Sequence, residues 1–317
     1  MVFSTKAPLV AQSCAPNDRT APMFIATLLT NPATPILDRA IVEALRNAWG
    51  GGDARWLDAG IAAEFPIADK PDNLWEIWAE LQAHKIDLCV QPEKGQRKVM
   101  LLADMDSTMI GQECIDELAD LAGVGPHVAG ITARAMNGEL DFEAALRERV
   151  ALLKGLPESV IAQVLAERIT YTPGGRTLIA TMHFHGGHAA LVSGGFTAFT
   201  QAVAAHLGFN EHRANTLLAE NGVLTGEVAE PILGRQAKID ALDQITHRLG
   251  LRADQVIAVG DGANDLGMLA RAGAGVALHA KPSVAAQCDL RINHGDLTAL
   301  LYLQGYSRAQ FLSAENS

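Results

Sequence analysis

Four short apolar runs, at residues 99–103, 188–192, 255–259 and 275–278, constrain this chain more than any other feature. Long stretches with helical spacing separate them. Near-continuous apolar strands that alternate with helices predict a parallel sheet covered on both faces, because such strands have no polar side to turn to water. Three of the runs end in a polar or glycine-rich turn: Asp104-Met105-Asp106-Ser107-Thr108, Ser193-Gly194-Gly195-Phe196 and Gly260-Asp261-Gly262-Ala263-Asn264-Asp265. In open α/β sheets, ligands bind outside the carboxyl ends of the strands. The three turns are therefore expected to converge on one site.

The length of 317 residues has room for two domains. Hydrophobic residues make up 49% and aromatic residues only 5%, so the core is expected to be Ala, Leu, Val and Ile, as in α/β proteins. Residues 1–21 are rich in Ala, Pro, Ser and Thr without periodicity and read as a flexible tail. Residues 22–97 carry the order β-α-β-β-α-β, which predicts a ferredoxin-like α+β domain. Residues 98–317 form the larger α/β domain. Between its first two strands lie residues 111–187, far more than one crossover helix needs. Helical spacing at 112–121, 128–136, 142–153 and 158–167 predicts a helical cap over the strand ends, at about 112–183.

The formal net charge of −11 argues against a long basic groove for nucleic acid. No apolar run approaches a membrane span, and the first residues make a poor signal peptide. Cys14, Cys89, Cys114 and Cys288 include no C-x-x-C pair, which predicts reduced thiols in a cytoplasmic protein.

A buried strand that ends in two carboxylates one residue apart must have those charges neutralised. Asp104, Asp106, Asp261 and Asp265 together offer an oxygen-only ligand set, which favours a hard cation, magnesium above all. Lys238, near the start of the helix before the third run, is placed to offset negative charge on a phosphoryl group. Ser193 and the Gly194 amide can hydrogen-bond a phosphate oxygen. Each motif has a plainer reading when taken alone, as a helix cap, a solvated lysine or an ordinary turn. His183, His185 and His188 read as a solvated turn rather than a metal site, because they precede a strand. Gly260-x-Gly262 lacks the third glycine of a dinucleotide fingerprint.

Taken together and in this order, D-M-D-S-T, S-G-G-F, a lone lysine and G-D-G-A-N-D resemble the haloacid dehalogenase-type phosphatases. Residues 111–118 (GQECIDEL) and 141–150 (DFEAALRERV) extend the likeness to phosphoserine phosphatases within that superfamily. The resemblance covers about residues 98–300, and the N-terminal domain is similar only in layout to an ACT-like domain. It implies a Rossmann-like sheet and an aspartyl-phosphate mechanism acting on O-phospho-L-serine. Asp104 would be the nucleophile and Asp106 the general acid and base. Asp104, the Asp106 carbonyl and Asp261 would hold magnesium, with Asp265 and Asn264 in support. Ser193, Gly194 and Lys238 would hold phosphoryl oxygens. In the cap, Glu113 would pair with the substrate ammonium and Arg149 would grip its carboxylate, with Arg147 as a nearby competitor. Met136 and Phe142 would be apolar walls. A homodimer through the N-terminal domain is a further expectation. The residues by themselves leave another small phosphate ester, or phosphoryl transfer to an alcohol such as homoserine, open.

Overall fold

The computed structural model describes residues 23–136 and 139–312, without the side chain of Met136. The expected tail at 1–21 lies outside the described residues. The N-terminal unit runs β1 (Phe24–Leu29), α1 (Arg39–Ala48), β2 (Arg55–Asp58), β3 (Ala62–Ile67), α2 (Leu74–Ala83) and β4 (Asp87–Pro92). Its sheet has the order β2-β3-β1-β4 and is antiparallel throughout, which is the ferredoxin-like arrangement. Asp38 caps α1 by accepting from the Ala40 N–H at 2.9 Å, which satisfies one of the orphan donors of a helix start.

Strand alternation sends each side of this sheet to a different core. Ala26 and Leu28 of β1, with Phe65 and Leu88, pack under α1 and α2 against Val42, Leu45, Leu74 and Leu81. Leu29, Leu57, Ala62 and Cys89 face the other way and join the core of the larger domain.

The larger domain begins with β5 (Met100–Ala103). Four cap helices follow: α3 (Cys114–Leu121), α4 (Gly125–Met136), α5 (Phe142–Ala151) and α6 (Val160–Glu167). An isolated bridge between Ile110 and Tyr171 ties the points where the chain leaves and rejoins the sheet. Next come α7 (Gly175–Phe184), β6 (His188–Phe196), α8 (Thr197–Leu207), β7 (Glu211–Asn215) and a hairpin of β8 (Leu217–Glu220) and β9 (Val223–Val228). The chain continues as α9 (Arg235–Leu249), β10 (Val256–Gly260), α10 (Leu266–Arg271), β11 (Ala274–Leu278), α11 (Pro282–Ala285), β12 (Leu290–Ile292) and α12 (Ala299–Leu303).

The six-stranded sheet has the order β12-β11-β10-β5-β6-β7 and is parallel throughout. Met100 and Leu102 of β5 point toward α9 and α10, where they meet Leu242, Ile245 and Met268. Leu101 and Ala103 point to the opposite face, into the cluster that holds Leu178, Ile179 and Phe199 of α7 and α8. Both faces are dry, as the unbroken apolar runs require.

The spacing of apolar residues identified the four inner strands and missed β7, β12 and the β8–β9 hairpin. Both missed sheet strands lie at the edges. β7 opens Glu-His-Arg, and β12 is three residues long, so neither carries an apolar run. No helix among the described residues is long and apolar enough to cross a membrane.

Asp87 couples the two units. Its side chain is fully buried, and its two oxygens accept the backbone N–H groups of Asn293 (2.8 Å), His294 (3.0 Å) and Gly295 (2.8 Å) just after β12. Burial raises its pKa, while the three amides pull it down. An Asp87→Ala change strands three amides. Each buried donor left without a partner costs about 1–3 kcal/mol. Urea unfolding of this variant is expected to show a loss of about 3 kcal/mol or more, and a loss within error of zero would contradict the coupling.

Candidate active site

The chain turns sharply after β5. The N–H groups of Thr108, Met109 and Ile110 all bond to the Met105 carbonyl at 3.3, 2.9 and 3.1 Å. Met105 and Met109 are buried beneath this turn and anchor it. Ser107 takes the left-handed φ of 53° that the tight geometry demands. The turn is pinned to the one after β10, since Thr108 Oγ1 donates to Asp261 Oδ1 at 3.2 Å. There Asp265 Oδ2 accepts from the amides of Asp261 (3.1 Å) and Gly262 (3.0 Å), folding the loop back on itself. Lys238 of α9 reaches in from the side. It is 2% exposed, and its Nζ lies 2.7 Å from Asp104 Oδ1 and 2.6 Å from Asp265 Oδ1.

Asp104, Asp261 and Asp265 each bring a carboxylate oxygen within 4.8 Å of the others, and all three are buried. One lysine faces three acids, so the cluster is short of positive charge. Asp104 Oδ1 is also buried without a well-directed hydrogen bond, although Lys238 Nζ is close. The strain shows in the protonation equilibria. Burial pushes the Asp104 carboxyl up to about 7, with the Asp265 charge adding and Lys238 opposing. Burial holds Asp261 well above the usual carboxylate range, and Asp265 and Asp104 push it further. Burial also disfavours the Lys238 ammonium, but Asp104 and Asp265 outweigh it and keep its pKa above that of an ordinary lysine. A divalent cation on these oxygens would supply the missing charge and reverse the push on the acids. An oxygen-only donor set of three buried carboxylates sharing one ammonium fits such an ion.

The Asp106 carboxylate lies outside this group. Burial pushes it up to about 6, a hydrogen bond from the Cys114 side chain opposes this, and the Asp104 charge adds to it. It is aimed by the Cys114 amide, which donates to Oδ1 at 3.2 Å. Gly195 makes room for it, because a Cβ there would lie 2.6 Å from Asp106 Oδ2.

One cavity joins the strand ends to the cap. Asp104, Asp106, Ser193, Gly194 and Asn264 line its floor, and Glu113, Phe142 and Arg149 line its cap side. Phe142 lies so close to Gly194 that a Cβ at that position would sit 2.7 Å from the ring. Glu113 Oε1 accepts from Ser107 Oγ at 2.5 Å. Arg149 is 5% exposed, with Nε bound to the Ala145 carbonyl and Nη1 to Thr132 Oγ1. Arg147 is engaged elsewhere, by Glu230 at 2.5 Å and Glu143 at 4.0 Å. The Met136 side chain, expected as an apolar wall, lies outside the described residues.

The three histidines near β6 go to separate partners. His183 bonds Asn210, His188 bonds Glu211, and His185 packs on Tyr306.

Ile115, Ala135, Leu146, Gly195 and Phe196 also line the cavity and were not singled out from the sequence. Gly195 and Phe196 stood in plain view in the S-G-G-F turn. The three apolar helix residues read as ordinary core positions, and no sequence signal separates the two uses.

Residues 101–270 match the haloacid dehalogenase-like hydrolases, and the chain belongs to that family. It is 47% identical over 224 residues to a phosphoserine phosphatase of Haemophilus influenzae, covering 71% of this chain and 70% of that one. It is 45% identical over 198 residues to a phosphoserine phosphatase of Vibrio cholerae, and that match spans 62% of this chain and 60% of the relative. Among solved structures, a HAD family hydrolase from Salmonella enterica serovar Typhi aligns with a TM-score of 0.78 at 30% identity, over 89% of this chain and 98% of that one. A substrate-bound phosphoserine phosphatase aligns with a TM-score of 0.62 at 39% identity, over 65% of this chain and 98% of that one.

The burial of Glu113 has a pH signature. Desolvation, with the Asp106 charge adding, pushes its carboxyl up to about 8 from 4.5, while the Ser107 hydroxyl opposes. A carboxyl raised on folding lends stability in its neutral form. That stability is complete below the unfolded pKa and is lost as pH rises through the folded one. Glu113→Gln mimics the neutral acid. In chelator-treated protein it is expected to match the parent near pH 4.5 and to exceed it above pH 8, by about 1–2 kcal/mol after allowance for solvent contact. Urea unfolding at both pH values measures this. A parent more stable than the variant at the higher pH would reverse the sign and refute it.

Proposed function

We propose that this chain is a magnesium-dependent phosphoserine phosphatase that hydrolyses O-phospho-L-serine to L-serine and phosphate, the last step of serine biosynthesis. One observation carries the reading. A single cavity has the Asp104 and Asp106 carboxylates at its floor, with Lys238 paired to Asp104 at 2.7 Å, and a carboxylate and an arginine on its cap side. These match the three charged groups of phosphoserine: phosphate below, ammonium and carboxylate above.

In this reading the Asp104 carboxylate attacks phosphorus. Its oxygen forms a bond to phosphorus as the bond to the serine oxygen breaks, which leaves an aspartyl-phosphate. Asp106 gives its proton to the departing serine oxygen. Its raised pKa of about 6 keeps part of it protonated near neutrality. Asp106 then takes a proton from water as that water attacks phosphorus, which frees phosphate and restores Asp104. Ser193 Oγ, the Gly194 amide, Asn264 and Lys238 hold the phosphoryl oxygens. Asp104, the Asp106 carbonyl and Asp261 would hold magnesium, which offsets the repulsion between the carboxylate and the phosphate. Asp265 supports them through its bonds to Lys238 and the loop amides. Glu113 receives the ammonium, and the fork of Arg149 receives the carboxylate. Phe142 excludes water, and Met136, whose side chain lies outside the described residues, would be a second apolar wall.

The described cysteines are buried and unpaired, which supports a cytoplasmic setting. A homodimer through the N-terminal domain belongs to the same reading.

Asp104→Asn keeps the shape and removes the nucleophile. Phosphate release from phosphoserine is expected to fall by at least about a thousandfold, and near-normal turnover would sink the mechanism. Across a panel of phosphoamino acids and sugar phosphates, the parent enzyme is expected to prefer phosphoserine, to lose activity to a chelator and to regain it with magnesium. A flat substrate profile would remove the specific assignment.

A further inference from the structure

Behind the cavity, three side chains from three cap helices form one hydrogen-bonded line. Arg149 of α5 donates from Nη1 to Thr132 Oγ1 of α4 at 2.9 Å. Thr132 in turn lies 2.6 Å from Asp116 Oδ1 of α3. The polarity of the line is forced. A guanidinium has donors only, so the threonine oxygen must accept from Arg149. Its single proton is then left for Asp116. Arg149 and Thr132 are 5% and 2% exposed, so the bond between them is shielded from bulk water, while the Thr132–Asp116 bond is half-buried.

The line does two things to Arg149. Together with the Ala145 carbonyl on Nε at 3.0 Å, it pins two of the three guanidinium nitrogens of a side chain that lines the cavity. It also supplies charge. A buried cation needs an anion nearby, and Asp116 provides one through the hydroxyl. The neighbouring acids of α3 are otherwise engaged, since Arg168 pairs with Glu117 at 3.0 Å and with Asp120 at 3.1 Å.

We propose that Thr132 and Asp116 are positioning residues that hold the Arg149 guanidinium in the orientation that receives a substrate carboxylate. The proposal rests on the reading of Arg149 given above. It separates substrate selection, which is set by three cap helices, from the phosphoryl chemistry at the strand ends.

The test is steady-state kinetics of the full chain with magnesium, on O-phospho-L-serine and on p-nitrophenyl phosphate, which has no carboxylate. Thr132→Val keeps the side-chain shape and removes both hydrogen bonds. Its KM for phosphoserine is expected to rise about tenfold, the scale of a lost hydrogen bond to a charged group. Its kcat should change by less than about threefold, and its KM for the aryl phosphate should not move. Thr132→Ser is expected to restore the phosphoserine KM to within about twofold of the parent. Equal changes on both substrates, or no change on either, would overturn the proposal, because a merely structural tie between helices does not distinguish them. Should Thr132→Val fail to fold, Asp116→Asn carries the same comparison. It removes the charge and keeps an acceptor, so a rise of about three- to fivefold on phosphoserine alone is expected, and an equal effect on both substrates overturns. Arg149→Ala separates the two levels of the argument. If it leaves the phosphoserine KM unchanged, the reading of Arg149 fails and takes the proposal with it. If it raises that KM while Thr132→Val does not, only the positioning role fails.

Discussion

The buried ammonium of Lys238, held between Asp104 and Asp265, is the contact on which the rest of the site depends. It joins three separate parts of the chain: the end of β5, the start of α9 and the loop after β10. Charges this deep are tolerated only when paired, and the pairing also fixes geometry. Asp265 spends one oxygen on Lys238 and the other on two loop amides, so its carboxylate braces the loop. Asp104 keeps an oxygen without a well-directed partner. One lysine against three acids leaves a deficit of positive charge, and that deficit suits the cluster to a cation.

The cap closes over this centre and lines one side of its cavity. Phe142 rests against Gly194, so a single ring connects the cap to the turn after β6. Glu113 and Arg149 are then carried over the floor by helices whose own polar interiors are satisfied within the cap. On the opposite side, the N-terminal sheet is no loosely tethered appendage. Asp87, Gln91 and Tyr302 make buried or half-buried hydrogen bonds across the boundary, and Arg291 lies over the Trp75 ring.

Much of this was legible in the residues. The inner strands β5, β6, β10 and β11 are apolar throughout because both faces are covered, and that signature survives in one dimension. The edge strands β7 and β12 were not legible, because an edge strand owes its place to a neighbour's hydrogen bonds rather than to apolar side chains. The same divide runs through the site. Asp104, Asp106, Asp261 and Lys238 were found because charge at the end of an apolar strand, or in an ordered set of motifs, is conspicuous. Arg149 is preferred to Arg147 for its position on the helix; in the structure Arg149 lines the cavity, whereas Arg147 faces Glu230 and Glu143.

By itself, the sequence determined the parallel sheet, the ferredoxin-like unit, the inserted helices and the acids that meet at the strand ends. Periodicity and charge placement are local properties and need no coordinates. Only the tertiary structure decided how those charges are shared. Lys238 pairs with Asp104 across more than a hundred residues of chain and with Asp265 across 27, Gly195 clears space for Asp106, and Thr132 stands between Arg149 and Asp116. Each of these depends on distances between elements that no spacing along the chain encodes. The physical reason is that burial turns ordinary polar side chains into committed partners, and burial is a property of the packed molecule.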